Sequence, residues 1–407
     1  MLRLISIFCF SFLFFSCHSQ QTNDKNNSAL SSYTFKPLSE VSKEKYTEAI
    51  EPLYEKMLLK KGFNGAILMA KNGEIVFEDY HGIYNQKTKD SITKDTPFHL
   101  ASISKTFTAM AVLHLWEQGK LSLDDSIQSF FPNFPYKNIT IKNLLSHQSG
   151  LQNYAYFMDN HKTEVIKMRN KRGKLIRVYK TVKLKDVPEI KGFISNEDVL
   201  QFLINKKPPV QALPGRVFNY CNTNYSLLAL IIEKITKQPF PKYMKDSVFT
   251  PLGMTHTFVF NMADTGKYIP SYNYNKTPFK LEKFDCIYGD KNVYSTVRDL
   301  LLWDKALYSG TYIKASTLEM AMHPFSNERR KGHYYGLGWH LLVDDSGEDT
   351  IVYHNGWWHG NNTVFARLIN DTATLIILGN KFNKNIYHAR QLASVFSTIT
   401  DTTNVEE

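Results

Sequence analysis

From residue 65 the chain sets short apolar runs on either side of a turn signal. Ala66-Ile67-Leu68-Met69 leads to Lys71-Asn72-Gly73, and Glu74-Ile75-Val76-Phe77 follows. Asn-Gly between two such runs predicts a β-hairpin over 65–82, because both residues tolerate the positive φ of a tight hairpin turn. Over 102–118 the period lengthens to that of a helix, with Phe107, Met110, Val112, Leu113 and Trp116 in phase and Gly119 ending the run. Helices and loops are expected from there to about residue 255. A short helix fits 139–145, ahead of a loop at Ser146-His147-Gln148-Ser149-Gly150. A capped helix fits 195–204, with Ser195 before Glu197 and Asp198, and a strongly apolar helix fits 225–235. Strand signals return at 350–354, 363–369 and 372–378, the last two joined at Asn370-Asp371, and a final helix is expected over 385–397. The reading is an α+β fold. Strands from the N- and C-terminal parts pair in one antiparallel sheet flanked by helices, with a mostly helical lobe inserted between them.

The length of 407 residues and an apolar fraction of 43% suit one large domain or two interleaved lobes. The first residues stand apart. Arg3 precedes an apolar run over 4–15, too short for a spanning helix, and the run ends in Phe14-Phe15-Ser16-Cys17. A small residue before a cysteine at that place resembles a bacterial lipoprotein processing site. The expectation is a signal peptide over 1–16, a lipidated Cys17, a polar tether over 17–31 and a globular domain over 32–407. An ordinary secretory signal is the alternative. Both take the protein out of the cytosol, to a periplasmic or cell-envelope location. Of four cysteines, Cys9 lies in the signal, and Cys221 and Cys286 remain in the body as a disulfide or as two buried thiols.

The net charge of +11 is not spread evenly. Residues 162–186 hold ten Lys and Arg against Glu164 and Asp186, a net +8, so the rest of the chain is nearly neutral. Lys174 to Val182 follow Asn170-Lys171-Arg172-Gly173 as a projecting hairpin would, inside an insertion at about 153–192. Such a hairpin is either a solvated face or a contact for anionic lipid headgroups or acidic wall polymer. Nucleic acid does not fit an exported protein.

Three short motifs carry chemistry together. In Ser102-Ile103-Ser104-Lys105 the lysine falls one turn after a serine that opens a long helix, close enough to hydrogen-bond its Oγ. The helix N-terminus beside the serine favours developing negative charge. Ser42-Lys45 and Ser91-Lys94 repeat the spacing, but neither starts such a helix. Tyr220-Cys221-Asn222 follows Pro214-Gly215 and precedes an apolar helix. Its phenol can pass a proton between Ser102 and a leaving group, and Asn222 offers donor and acceptor to a substrate amide. His354-Asn355-Gly356 lies on a strand, where Gly356 lets substrate backbone approach. The N–H groups of Ser102 and Trp357 are candidates for an oxyanion hole, with Trp357, Trp358 and His359 as pocket wall.

With these motifs in this order, the chain resembles the serine β-lactamase and penicillin-binding protein superfamily, in its class C-like branch. The run Ile139 to Leu151, the pairs Pro214-Gly215 and Asn219-Tyr220, and Pro251-Leu252-Gly253-Met254 look like that branch. So do the stretch 289–306 and Tyr335-Gly336-Leu337-Gly338-Trp339. The resemblance implies an acyl-enzyme on Ser102 that water hydrolyses, Lys105 and Tyr220 sharing the proton work, and Asn222 and His354 positioning substrate. One departure matters. β-Lactamases usually carry Lys-Thr-Gly where this chain has His354-Asn355-Gly356, and a neutral imidazole gives up a fixed positive charge for a substrate carboxylate. That fits a peptidase acting on D-amino-acid peptides, or an esterase, better than penicillin hydrolysis. The substrate class is a small molecule or a peptidoglycan-derived peptide or ester. The contrasting expectation is a non-catalytic domain that binds or senses wall fragments. No Gly-x-Ser-x-Gly elbow, His-Glu-x-x-His helix or phosphate-cradling loop occurs, so neither metal nor cofactor is expected.

Overall fold

The computed structural model describes residues 33–169, 173–183, 191–344 and 350–397. The expected signal segment, Cys17 and the tether lie outside them. Eight strands form the main antiparallel sheet: β1 (Gly65–Lys71), β2 (Glu74–His81), β3 (Ser326–Arg330), β4 (His333–Tyr335), β5 (His340–Val343), β6 (Thr350–Trp358), β7 (Asn361–Leu368) and β8 (Ala373–Gly379). Their spatial order is β3-β4-β5-β6-β7-β8-β1-β2, so strands from the two ends of the chain meet where β1 pairs with β8. Asn72 and Gly73 close the first hairpin with φ values of 50° and 70°.

The central strands are buried on both faces, which is why they read as continuous apolar runs rather than as an alternation. Ile67 and Met69 pack with Val364, Leu375 and Ile377 against α1 (Glu40–Met57) and the last turns of the chain. Ala66 and Leu68 face the other way, with Phe365, Ile376 and Leu378, into the larger core under the helical lobe. That lobe is centred on α2 (Ser104–Glu117), with α3 (Asn222–Thr236) against it and α4 (Val297–Ser309) against β8 and β1. Ser195 and Thr140 cap the helices Asn196–Lys206 and Ile141–Leu145 through reciprocal capping boxes.

Three elements depart from the sequence reading. The expected helix opening at Ser102 begins with a 3-10 turn, Ala101–Ile103, and only then becomes α2. The closing helix is one α-turn, Asn385–His388, continued as 3-10 by Ala389–Val395, and there Arg390 lies over the Tyr353 ring at 4.1 Å. The helix α1 escapes pattern reading because it buries only Ile50 and Tyr54 and carries Pro52 inside it.

The basic insertion forms a two-stranded hairpin in which His161–Arg169 pairs with Leu175–Lys183 over nine positions. Arg169 Nη1 donates to the Gly173 carbonyl at 2.7 Å, and Val165, Met168 and Leu175 stay about half exposed. Cys221 and Cys286 are both free and buried, and burial pushes each thiol up to about 11.

Candidate active site

The turn that carries Ser102 is held from three directions. Leu100 N–H donates to the Val293 carbonyl at 2.8 Å, and Thr363 Oγ1 of β7 donates to the Leu100 carbonyl at 2.8 Å. Ala101 sits at φ 49°, a left-handed conformation that a non-glycine residue adopts only under constraint. The constraint is His99: its Nδ1 accepts Ala101 N–H at 3.0 Å, and its Nε2 donates to Asn292 Oδ1 at 2.9 Å. Burial lowers His99 to about 4, so the ring stays neutral and keeps the lone pair that this bond requires.

Lys105 is fully buried one turn into the helix, and its Nζ donates to Ser102 Oγ at 3.0 Å. A second donation goes to the Asp290 carbonyl at 2.9 Å. That carbonyl is delivered by a segment threaded between α2 and α3, where Thr108 Oγ1 donates to the Gly289 carbonyl at 2.7 Å. Gly289 has φ 95°, and a Cβ there would meet the Tyr225 carbonyl and the Ala229 side chain. Behind it Tyr154 hydroxyl donates to Asp290 Oδ2 at 2.7 Å, and Lys291 Nζ donates to the Tyr154 oxygen at 2.7 Å.

Tyr220 comes from the loop before α3, and that loop is built on the one at 146–150. Gly215 N–H donates to the Gln148 carbonyl and Asn219 N–H to the His147 carbonyl, both at 2.8 Å. Cys221 N–H then donates to His147 Nδ1 at 3.2 Å, which sets the His147 ring 4.3 Å from the Tyr220 ring. Lys105 Nζ lies 4.9 Å from the Tyr220 centroid. Asn222 is the first residue of α3, and its buried Oδ1 has no hydrogen-bond partner among the described residues.

On the facing strand, β6, Gly356 fits against the serine turn. A Cβ there would run into the Leu100 carbonyl, Thr363 Oγ1 and the Ala101 Cβ. Trp357, the next residue on β6, lines the same cleft as Ser102. The ring of His354 is buried, with Nδ1 donating to the Asn355 carbonyl at 2.7 Å and Nε2 accepting from Tyr335 hydroxyl at 3.2 Å. Burial, with His340 and Lys105 nearby, holds it well below the usual histidine range, so it is neutral. His354 lies behind the wall rather than on it. Asn355 reaches the surface instead, with its own buried Oδ1 unpaired among the described residues.

These residues surround one cleft of about 930 Å³. Ser102, Tyr220, Asn222, Asn355 and Trp357 line it, with an aromatic rim of Tyr156, Phe218, Phe279, Trp358 and Phe382. No Lys or Arg is among the described residues that line it. Trp357 is half exposed, while Trp358 Nε1 donates to Asp285 Oδ1 at 2.6 Å, so the two consecutive tryptophans turn opposite ways. Glu282, Asp285 and His359 form a metal-sized cluster at the edge. Its donors are engaged with each other, since His359 Nε2 donates to the Asp285 carboxylate at 2.9 Å and Trp358 occupies the same group. The sequence reading missed His99, His147, Glu328 and His340. A lone histidine or glutamate has no local signature, and Asn292, Cys221 and the Glu328–His340 pairing are brought in by the fold.

A sheet built from both ends of the chain over a helical lobe, with a Ser-Lys pair, a tyrosine and a strand in one cleft, is the layout of the penicillin-interactive serine hydrolases. Matches to known proteins agree. The model of the family described as beta-lactamase matches residues 50–397. Penicillin-binding protein 4* of Bacillus subtilis is 32% identical over 352 residues, covering 82% of this chain and 71% of that protein. In fold, a D-amino acid amidase of Ochrobactrum anthropi superposes with a TM-score of 0.65 at 20% identity, covering 86% of this chain and 97% of that one. A class C beta-lactamase superposes with a TM-score of 0.68 at 17% identity, covering 90% and 100%. The chain belongs to the beta-lactamase family of serine hydrolases.

Proposed function

We propose that the protein is an exported hydrolase that forms an acyl-enzyme on Ser102 and acts on a D-amino-acid peptide, amide or ester bond. The observation that carries this reading is the buried Lys105 amine 3.0 Å from the Oγ of Ser102, a residue that lines the open cleft. Lys105, in its amine form, takes the proton as Oγ attacks the carbonyl carbon. The negative charge that develops on the carbonyl oxygen is received by the N–H groups of Ser102 and Trp357, which the Gly356 contact keeps together. Tyr220 passes a proton to the leaving group, and the reverse sequence, with water as nucleophile, releases the acid.

Two details support an amide-bearing substrate. Asn222 and Asn355 both line the cleft and each holds a buried side-chain oxygen with no partner among the described residues, and such an acceptor is costly until an N–H, as of a substrate amide, satisfies it. No Lys or Arg among the described lining residues is available for a free carboxylate, and His354 is neutral. This speaks against penicillins as the preferred substrates, and the aromatic rim suits an apolar or aromatic side chain.

The test uses protein lacking residues 1–31, incubated with a fluorophosphonate and separately with a fluorescent penicillin, and read by intact and peptide mass. Ser102 is expected to carry the fluorophosphonate in good yield and the penicillin slowly, with Ser102→Ala blank for both. Well-folded protein with no adduct from either would overturn the reading in favour of a binding domain.

A further inference from the structure

His340 on β5 is fixed as an acid–base group would be. Its Nδ1 lies 2.6 Å from Glu328 Oε1 of β3, and both side chains line the cleft with Ser102, Tyr220 and Asn222. They are only 10% and 15% exposed. A carboxylate at Nδ1 sets the tautomer and orientation of an imidazole and leaves Nε2 to exchange a proton. That nitrogen makes no hydrogen bond among the described residues.

The neighbours of the ring say what the pair acts on. The planes of His340 and Tyr220 are within 17° of parallel, with centroids 6.0 Å apart. From the other elements packed against it, Tyr335 of β4 lies at 4.8 Å, and His354 and Tyr353 of β6 at 4.7 and 5.2 Å. His147 from the 146–150 loop shares its electrostatic surroundings, as does His354. Burial keeps His147, His354 and Tyr335 neutral, so none of the three can set a charge against a developing Tyr220 phenolate. Glu328 sets a carboxylate against His340 Nδ1, and Lys105 stands at Tyr220 as well.

We propose that the Glu328–His340 pair is a second positioning device for Tyr220: a protonated His340, held by Glu328, supplies beside the phenolate the positive charge that His354 does not. The charge is moved one strand across the sheet, from β6 to β5. His340 makes no bond to substrate in this scheme and acts through Tyr220. The inference rests on the reading of Ser102 as nucleophile and Tyr220 as its proton-transfer partner.

The experiment follows the second-order rate of Ser102 labelling by a fluorophosphonate against pH, in the wild type, His340→Gln, Glu328→Gln and Glu328→Asp. Melting curves accompany each variant. The wild-type rate should fall along an alkaline limb as His340 loses its proton. Glu328→Gln should move that limb about one pH unit lower, since removing a nearby carboxylate disfavours the imidazolium, and Glu328→Asp should largely restore it. His340→Gln should abolish the limb and lower the plateau about 10-fold or more, the scale of a proton-transfer aid. A limb unmoved in native-like His340→Gln and Glu328→Gln would overturn the proposal while leaving Ser102 as nucleophile. If substitution by Gln unfolds either chain, Glu328→Ala and His340→Asn carry the same comparison. Wild-type protein that does not label at all would remove the nucleophile assignment, and this inference with it.

Discussion

Ser102 has Lys105 on its Oγ, and Lys105 in turn meets the Asp290 carbonyl and the rings of Tyr220 and Tyr225, so the chemistry is concentrated in one small cluster of atoms. Replacing Lys105 by Ala should slow Ser102 labelling by about 10²-fold or more, the range of general-base contributions. Tyr220→Phe keeps the ring against His147 and removes only the hydroxyl. It should lower turnover of a chromogenic ester about 10- to 100-fold with little change in the melting midpoint, and steady-state kinetics with a melting curve checks both. At this scale no single motif singled out Ser102, Lys105, Tyr220 or Asn222, since each short spacing recurs elsewhere in the chain; their order together did, and the structure sets these residues close to one another. It was silent on His99 and Glu328. Asn292 for one and His340 for the other reach them only through the tertiary fold, and the short His99–Ala101 contact has no sequence signature of its own.

Elements bring these atoms together through close backbone contacts. Gly356 lets β6 lie against the serine turn, and a methyl group there meets the Leu100 carbonyl. Gly356→Ala should cost about 1–3 kcal/mol, as overpacking does, and should slow labelling by shifting the Trp357 N–H. Urea unfolding and the labelling rate read the two effects separately. The Asn72-Gly73 hairpin, the Ser195-capped helix and the two strands around Asn370-Asp371 were legible from the chain because turn and cap chemistry is local. The 3-10 start at Ala101 was not legible. It is imposed by His99, Val293 and Thr363 from outside the helix, and helix propensity yields to such tertiary bonds.

At the scale of the whole molecule, three buried histidines among the described residues, His99, His147 and His354, are held neutral, all with burial as the leading cause. A depressed pKa means that the unfolded chain binds protons the folded one does not, so stability is present above about 6.5 and declines as pH falls. For His99 the folded value is about 4, which sets the window between about 6.5 and about 4 and a loss of about 3 kcal/mol by its lower end. Urea midpoints measured from pH 7.5 down to 4.5 should fall steadily below about 6.5. A flat profile would contradict the neutral buried rings.

The pairing of β1 with β8 also sets an order of events. Gly65 meets Gly379, and Lys71 meets Ala373, so this one strand pair joins positions more than three hundred residues apart. During synthesis the hairpin of β1 and β2 emerges early but presents an unpaired inner edge until residue 379 has left the ribosome. A chain of such long-range closure folds late and slowly, and its open edge is the part most in need of a chaperone's cover until then. A nascent chain halted at about residue 370 should be protease-sensitive throughout, and one extended past residue 397 should become resistant in a single step.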